Sequence, residues 1–258
     1  MLKSPKNSKQ HLIIFTRYPE PGKTKTRLIP ALGTVGAANL QRQMTEYTLS
    51  QVQKLQSSNA ISLELRFSGG NLQLMQDWLG SDLVYQLQGE GDLGSRMMRS
   101  LSYAFQNNAQ QVVIIGTDCP GVNPQILATA FEQLHVFDLV LGPAVDGGYY
   151  LIGLRQPFPQ LLTNIDWGTS QVLSQTLEIA QQLNLSVAYL PTLADVDRPE
   201  DLPIWEQTRQ SERLLWGMGN GELGIGHWAL GKIPLPIPPS SPSPAFPASP
   251  ASPVPHHP

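Results

Sequence analysis

Between His11 and about Arg209 the chain alternates short apolar runs with longer amphipathic stretches, and no other feature restricts its fold as strongly. The apolar runs 11–17, 61–67, 83–88, 111–118, 137–145, 149–154 and 186–192 have the length and β-branched content of strands. The intervening segments at about 35–56, 71–79, 93–107, 123–134, 169–183 and 199–209 repeat Leu, Met, Ile and Ala at three and four, as helices with one buried face do. Alternating strands and helices predict a three-layer α/β domain with a mostly parallel sheet. One junction breaks the rule: only Asp146, Gly147 and Gly148 separate two runs, too few for a crossover helix, so that pair forms an antiparallel hairpin and the sheet is mixed. In such sheets ligands bind beyond the carboxyl ends of the strands.

Composition sets the outer limits. With 17 Lys and Arg against 20 Asp and Glu, the chain has no basic excess with which to grip a nucleic-acid backbone. A single cysteine, Cys119, excludes an internal disulfide framework and suits a reducing cytoplasm. No apolar run approaches the roughly 18 residues that a membrane-spanning helix needs. Residues 1–10 read as a flexible arm before a domain at 11–210. Beyond it, 211–232 read as a Gly-rich linker or helical extension. Residues 233–258 hold 11 prolines and no charged Asp, Glu, Lys or Arg, the composition of a disordered tail. Gly219, Gly221 and Gly224 spell a dinucleotide fingerprint within that linker, but without the strand before it or the helix after it the spacing has no mechanism.

Six places could carry chemistry. The loop after the first strand gathers Arg17, Gly22, Lys23, Lys25 and Arg27, where a glycine lets backbone approach an anion and the cations supply charge to phosphate. The fourth run ends in Gly116-Thr117-Asp118-Cys119-Pro120, which places the Asp118 carboxylate at the lip of the crevice, where it can hold a divalent cation against a diphosphate. Cys119 has no histidine near it in sequence and reads as packing. Asp146 with Gly147 and Gly148 in the hairpin turn offers a hydrogen-bond acceptor or cation ligand with room for a ligand beside it. In DVDRPEDL, Asp197 caps a helix opening at Pro199, and either Asp195 or Asp197 is a second metal ligand or a base. Gly91, Asp92, Gly94 and Arg96 form a glycine-rich entry to a helix that can read a base or sugar. Finally Trp167, before a helix start at Thr169, is a sugar-stacking platform or a hydrophobic staple.

The ordered set FTRYPEPGKTKTRLIPALG, GDLGSRM, IIGTDCPG, GPAVDGGYYLIGL, IDWGTS and DVDRPEDL resembles a bacterial family of glycosyltransferases labelled as associated with arsenosugar biosynthesis, of the GT-A (nucleotide-diphospho-sugar transferase) fold. The resemblance implies a Rossmann-like three-layer domain over about 11–210 and a nucleotide-sugar donor with its diphosphate near Arg17, Lys23, Lys25 and Arg27. It also implies Mg²⁺ or Mn²⁺ on Asp118, and Asp146 or Asp195 activating the hydroxyl of a small-molecule acceptor. Many GT-A enzymes carry an Asp-x-Asp triplet where this chain has a single Asp118. The Asp-x-Pro, the K-x-R-L loop and DVDRPEDL are equally similar to nucleotidyltransferases, particularly the phospholactate guanylyltransferases, which take NTP and a phosphorylated acceptor and release pyrophosphate.

Overall fold

A computed structural model describes residues 9–219, with side chains described to residue 212. The expected arm, linker and tail fall mostly outside these residues, as do Gly221 and Gly224 of the glycine fingerprint. Seven strands, β1 (Gln10–Arg17), β2 (Ile61–Ser68), β3 (Val84–Leu87), β4 (Gln111–Ile115), β5 (Leu139–Pro143), β6 (Tyr149–Leu154) and β7 (Val187–Tyr189), form one sheet in the order β3-β2-β1-β4-β6-β5-β7. Helices α1 (Ile29–Gln56), α2 (Leu72–Leu79), α3 (Leu93–Gln106), α4 (Pro124–Gln133), α5 (Val172–Gln182) and α6 (Leu202–Gly219) complete the domain. No helix among the described residues is long and apolar enough to cross a membrane.

The central strands are buried on both faces, which is why they read as unbroken apolar runs. Leu12 and Ile14 of β1, with Val113 and Ile115 of β4, join a core with α1, α2 and α4 residues such as Val52, Met75 and Leu127. Their neighbours Ile13, Phe15, Val112 and Ile114 point the other way and pack with Met97 and Leu101 of α3 and Ala180 of α5. A buried charge cluster sits in β1 and β2. Glu64 is fully buried and pairs with Arg66, His11 Nε2 lies 3.4 Å from Glu64 Oε2, and the Arg66 guanidinium stacks 5.3 Å from the Tyr103 ring.

Caps follow local chemistry in three helices. Asn71, Asp92 and Asn123 accept the backbone N–H groups of Leu74, Ser95 and Ile126, and Pro124 opens α4. Elsewhere tertiary context moves the boundary. Thr169 does not open α5: its Oγ1 donates to Asp166 O and accepts from Gln171 N, closing a turn, and the helix begins at Val172. The Asp197 cap is not made either. Asp201 reaches back to accept from the N–H groups of Asp197 and Arg198, organising the turn that leads into α6. Helix α1 starts earlier than its periodicity indicates, at Ile29, with a break at Gly33, whose positive φ of 69° a side chain would resist.

The hairpin expected at 146–148 forms, and β6 then inserts between β4 and β5, antiparallel to both. This insertion builds the site. Because β6 runs against β4, its first residues stand beside the end of β4, and Gly116 N donates to Tyr150 O. Strand β5 needs Gly142 here, since a Cβ would lie 2.4 Å from the Tyr150 ring.

Candidate functional site

A cleft of about 420 Å³ opens at the carboxyl ends of β1 and β4 and the amino end of β6, and three separated acidic segments converge on it. Asp118 follows β4, Asp146 precedes β6, and Asp195 arrives on a segment tied to both neighbours. Ala144 bridges Leu193, and Val196 N donates to Asp118 O at 2.9 Å. All three carboxylates line the cleft. Gly148 donates its N–H to Asp146 Oδ1, and Gly147 adopts φ 90° with its α-carbon pressed against the Ser170 backbone, so a residue with a side chain would not fit there.

The four cations of the first loop have different fates. Arg17 lines the cleft and donates to Lys23 O and Ser68 Oγ. Lys25 is buried, held in a left-handed conformation (φ 43°), and its ammonium donates at 2.7 Å both to Asp118 Oδ1 and to Val196 O. Lys23 and Arg27 remain on the surface, paired with Glu20 and Asp197. Neither they nor Asp197 belong to the cleft lining. Gly22, at φ 81°, shapes the turn that brings the chain back toward Lys25.

On the opposite flank Arg96 of α3 faces the cleft, its guanidinium donating to Gly91 O and Gln88 Oε1. Asp92 serves the helix N-terminus, and its carboxyl lies below the usual range because Ser95 donates to it. Gly94 lets α3 press on the Trp167 loop, since a Cβ there would lie 2.3 Å from Leu162 O and 2.7 Å from Trp167 Nε1. Trp167 in turn meets Tyr149 edge-on, with ring centroids 6.3 Å apart.

Electrostatics separate the acidic and thiol groups. Burial raises the Asp195 carboxyl, and the neighbouring charges of Asp146, Asp201 and Asp197 push it the same way. The Cys119 thiol is raised by burial and then by Asp118, Asp195 and Asp146, so it remains protonated and is no nucleophile. Among the described residues no three His, Cys, Asp or Glu side chains are close enough to form a complete metal cage. The donor set suits a hard divalent ion held by one or two carboxylates and completed by a ligand's phosphates.

The sequence reading missed the polar floor. Gln41 of α1 is buried and donates to Thr16, Thr45 and Thr117 hydroxyls beneath the cleft, while Gln88 donates to Thr16 O and Arg66 O. The available signal for the first was a polar residue at a core-facing position of α1, weakened because the same face also buries Thr45, Thr48 and Gln51 among its Leu, Met and Val. Nothing in the sequence distinguished the second.

A family model described as "Uncharacterized protein conserved in bacteria (DUF2064)" matches residues 51–169. The solved structure of a candidate nucleotide-diphospho-sugar transferase from Desulfovibrio desulfuricans G20 is 33% identical, covers 79% of this chain and 88% of its own, and superposes with a TM-score of 0.74. The chain belongs to this DUF2064 family. The fold extends further. 4-Diphosphocytidyl-2C-methyl-D-erythritol synthase from Anaerococcus prevotii is 11% identical over 78% of the DUF2064 chain and 97% of its own, with a TM-score of 0.53. The inositol-1-phosphate CTP transferase of T. maritima is 16% identical over 78% and 95%, with a TM-score of 0.52. No curated protein matches. The DUF2064 chain therefore has the three-layer nucleotide-diphospho-sugar transferase architecture.

Proposed function

We propose that this protein is a metal-dependent glycosyltransferase that moves a sugar from a nucleoside-diphosphate donor to a small-molecule acceptor. One observation carries the reading. Three carboxylates from separate segments, Asp118, Asp146 and Asp195, line a cleft whose opposite flank holds Arg17 and Arg96, neither paired with a carboxylate among the described residues. Arginine forks match phosphate oxygens, so the donor's diphosphate lies toward Arg17 and Arg96 and its sugar toward the acids.

Asp118 would hold Mg²⁺ or Mn²⁺, with Asp146 or Asp195 as a second ligand; Lys25 occupies only its Oδ1. Bound there, the ion supplies charge that stabilises the departing diphosphate. The acceptor hydroxyl attacks the anomeric carbon, the carbon–oxygen bond to the diphosphate breaks, and the hydroxyl proton passes to a carboxylate. Asp195 suits that last role, since burial and its acidic neighbours raise its affinity for a proton.

A second reading, nucleotidyl transfer from NTP to a phosphorylated acceptor, is favoured by the lone Asp118 after β4 in place of an Asp-x-Asp pair. The products distinguish the two. Incubation with UDP-, GDP- and ADP-sugars or the matching NTPs, with and without Mn²⁺, is expected to release nucleoside diphosphate from one nucleotide-sugar, and Asp118→Asn is expected to abolish it with the fold intact. Pyrophosphate release from NTP alone would establish the second reading, and full activity of Asp118→Asn would remove that residue from the chemistry.

A further inference from the structure

The cleft has an apolar part that neither phosphate nor metal explains. Phe15, Ile114 and Ile152 of the sheet, Leu93 and Met97 of α3 and the loop bearing Trp167 line it, on the face of the sheet opposite Gln41 and α1. We call this part the recess. Leu93 lines it from the first turn of α3 yet is 42% exposed, and Trp167 stands edge-on to Tyr149 at an interplanar angle of 85°. Apolar groups left uncovered in a concave site are groups that a ligand covers.

We propose, resting on the transfer reading above, that this recess receives the ring-bearing body of the acceptor, making the acceptor a neutral aromatic or alicyclic alcohol rather than a polyol or a phosphorylated compound. Charge supports the assignment. Asp118, Asp146 and Asp195 line the same cleft and repel an anionic acceptor, while the Arg96 guanidinium is turned to Gln88 and Gly91, on the β3 side. The aromatic wall is set before any ligand arrives, because Gly94 allows α3 to close directly on Trp167, so little ordering cost falls on binding. Position supports it as well: Tyr149 follows Gly148 and Asp146, so a ring against Tyr149 holds its hydroxyl near a carboxylate that can take the proton.

The test is binding of 2-naphthol, glycerol, glycerol 3-phosphate and the four nucleosides to the full chain by calorimetry, with nucleotide-sugars and NTPs titrated in parallel. The proposal expects 2-naphthol to bind, glycerol and its phosphate not to, and Trp167→Ala and Leu93→Ser each to weaken naphthol by about 10-fold, the scale of one lost aromatic or apolar contact. Leu93 is exposed enough that its substitution leaves the fold in place, so the second variant keeps the result readable if the first misfolds. No naphthol binding, binding indifferent to both variants, or displacement of naphthol by a nucleoside would overturn it, the last by making the recess a base site. Naphthol binding without any nucleotide binding would retain the recess and remove the transfer reading. Nucleotide binding without naphthol would do the reverse.

Discussion

The Lys25 side chain, only 3% exposed, places its ammonium 2.7 Å from Asp118 Oδ1, joining the loop after β1 to the end of β4 across 93 residues of sequence. The same ammonium donates to Val196 O, whose own N–H donates to Asp118 O, so one buried cation holds two of the three acidic segments in register. A lysine in a loop rich in cations is thus a structural anchor of the acidic half of the cleft.

Replacing Lys25 with Met keeps the stem and removes the donor. Val196 O then loses its partner, at a cost of about 1–3 kcal/mol for an unsatisfied buried acceptor, while the exposed Asp118 carboxylate is hydrated instead. In a chain of this size that lowers Tm by very roughly 2–12 °C, and thermal denaturation checks it. Because the Asp118 carboxylate is then no longer fixed against the Asp195 segment and only the backbone bond from Val196 N to Asp118 O remains, the protection that Mn²⁺ gives against thermal unfolding is also expected to fall. Lys25→Arg, whose fork is too large for the buried slot, should not restore either property.

Asp138 ties the start of β5 to the start of β7, and its contribution depends on pH. Its carboxylate accepts from Ser186 Oγ, Ser186 N and Arg155, which together hold it below the usual carboxylate range. A depressed native value means that the unfolded chain binds the proton more readily, so the stabilisation is complete above the ordinary Asp value near ~3.9 and is lost as pH falls through the native one. Asp138→Ala is expected to cost about 2 kcal/mol at pH 7, on the scale of a charge-assisted hydrogen bond. Urea titrations at pH 7 and pH 3 should show the difference between variant and parent shrinking at the lower pH; a constant difference would mean that packing, not charge, explains the loss.

Cys119 is 6% exposed and its thiol is raised by burial and by three carboxylates, so the nucleophilic thiolate is scarce at neutral pH. In the native protein at pH 7.5 iodoacetamide should leave it unmodified over an hour, while the same reagent in 6 M urea should label it fully, as mass spectrometry would show. Cys119→Ser is expected to retain the metal-dependent activity. Rapid native labelling, or loss of activity in Cys119→Ser with the fold intact, would reopen a thiol mechanism.

Much of the architecture was legible along the chain. Strand β1 was readable because its centre, Leu12 to Phe15, is buried on both faces and apolar throughout, and α4 because Asn123 and Pro124 satisfy their own helix end within four residues. The hairpin at Asp146 was readable because three residues cannot span a crossover. The opening of α6 was not, since Asp197 and Asp201 are equally able to cap by sequence, and Asp197 is occupied by Arg27 from a loop 170 residues away. Trp167 stayed ambiguous for the same reason: its neighbours in the fold are Gly94 and Tyr149, not the residues beside it in the chain.

Sequence by itself determined the α/β class, the mixed sheet, the composition of the acidic and cationic segments and their place at strand ends, because periodicity, capping and turn length act over a few residues. Tertiary structure decided which charges face the cleft and which face each other. It put β6 between β4 and β5, buried Lys25 on Asp118, left Lys23 and Arg27 to surface partners, and set Gln41 under the cleft. Those outcomes depend on contacts between residues far apart in the chain, whose pairing is fixed by the sheet order, and no local pattern encodes that order.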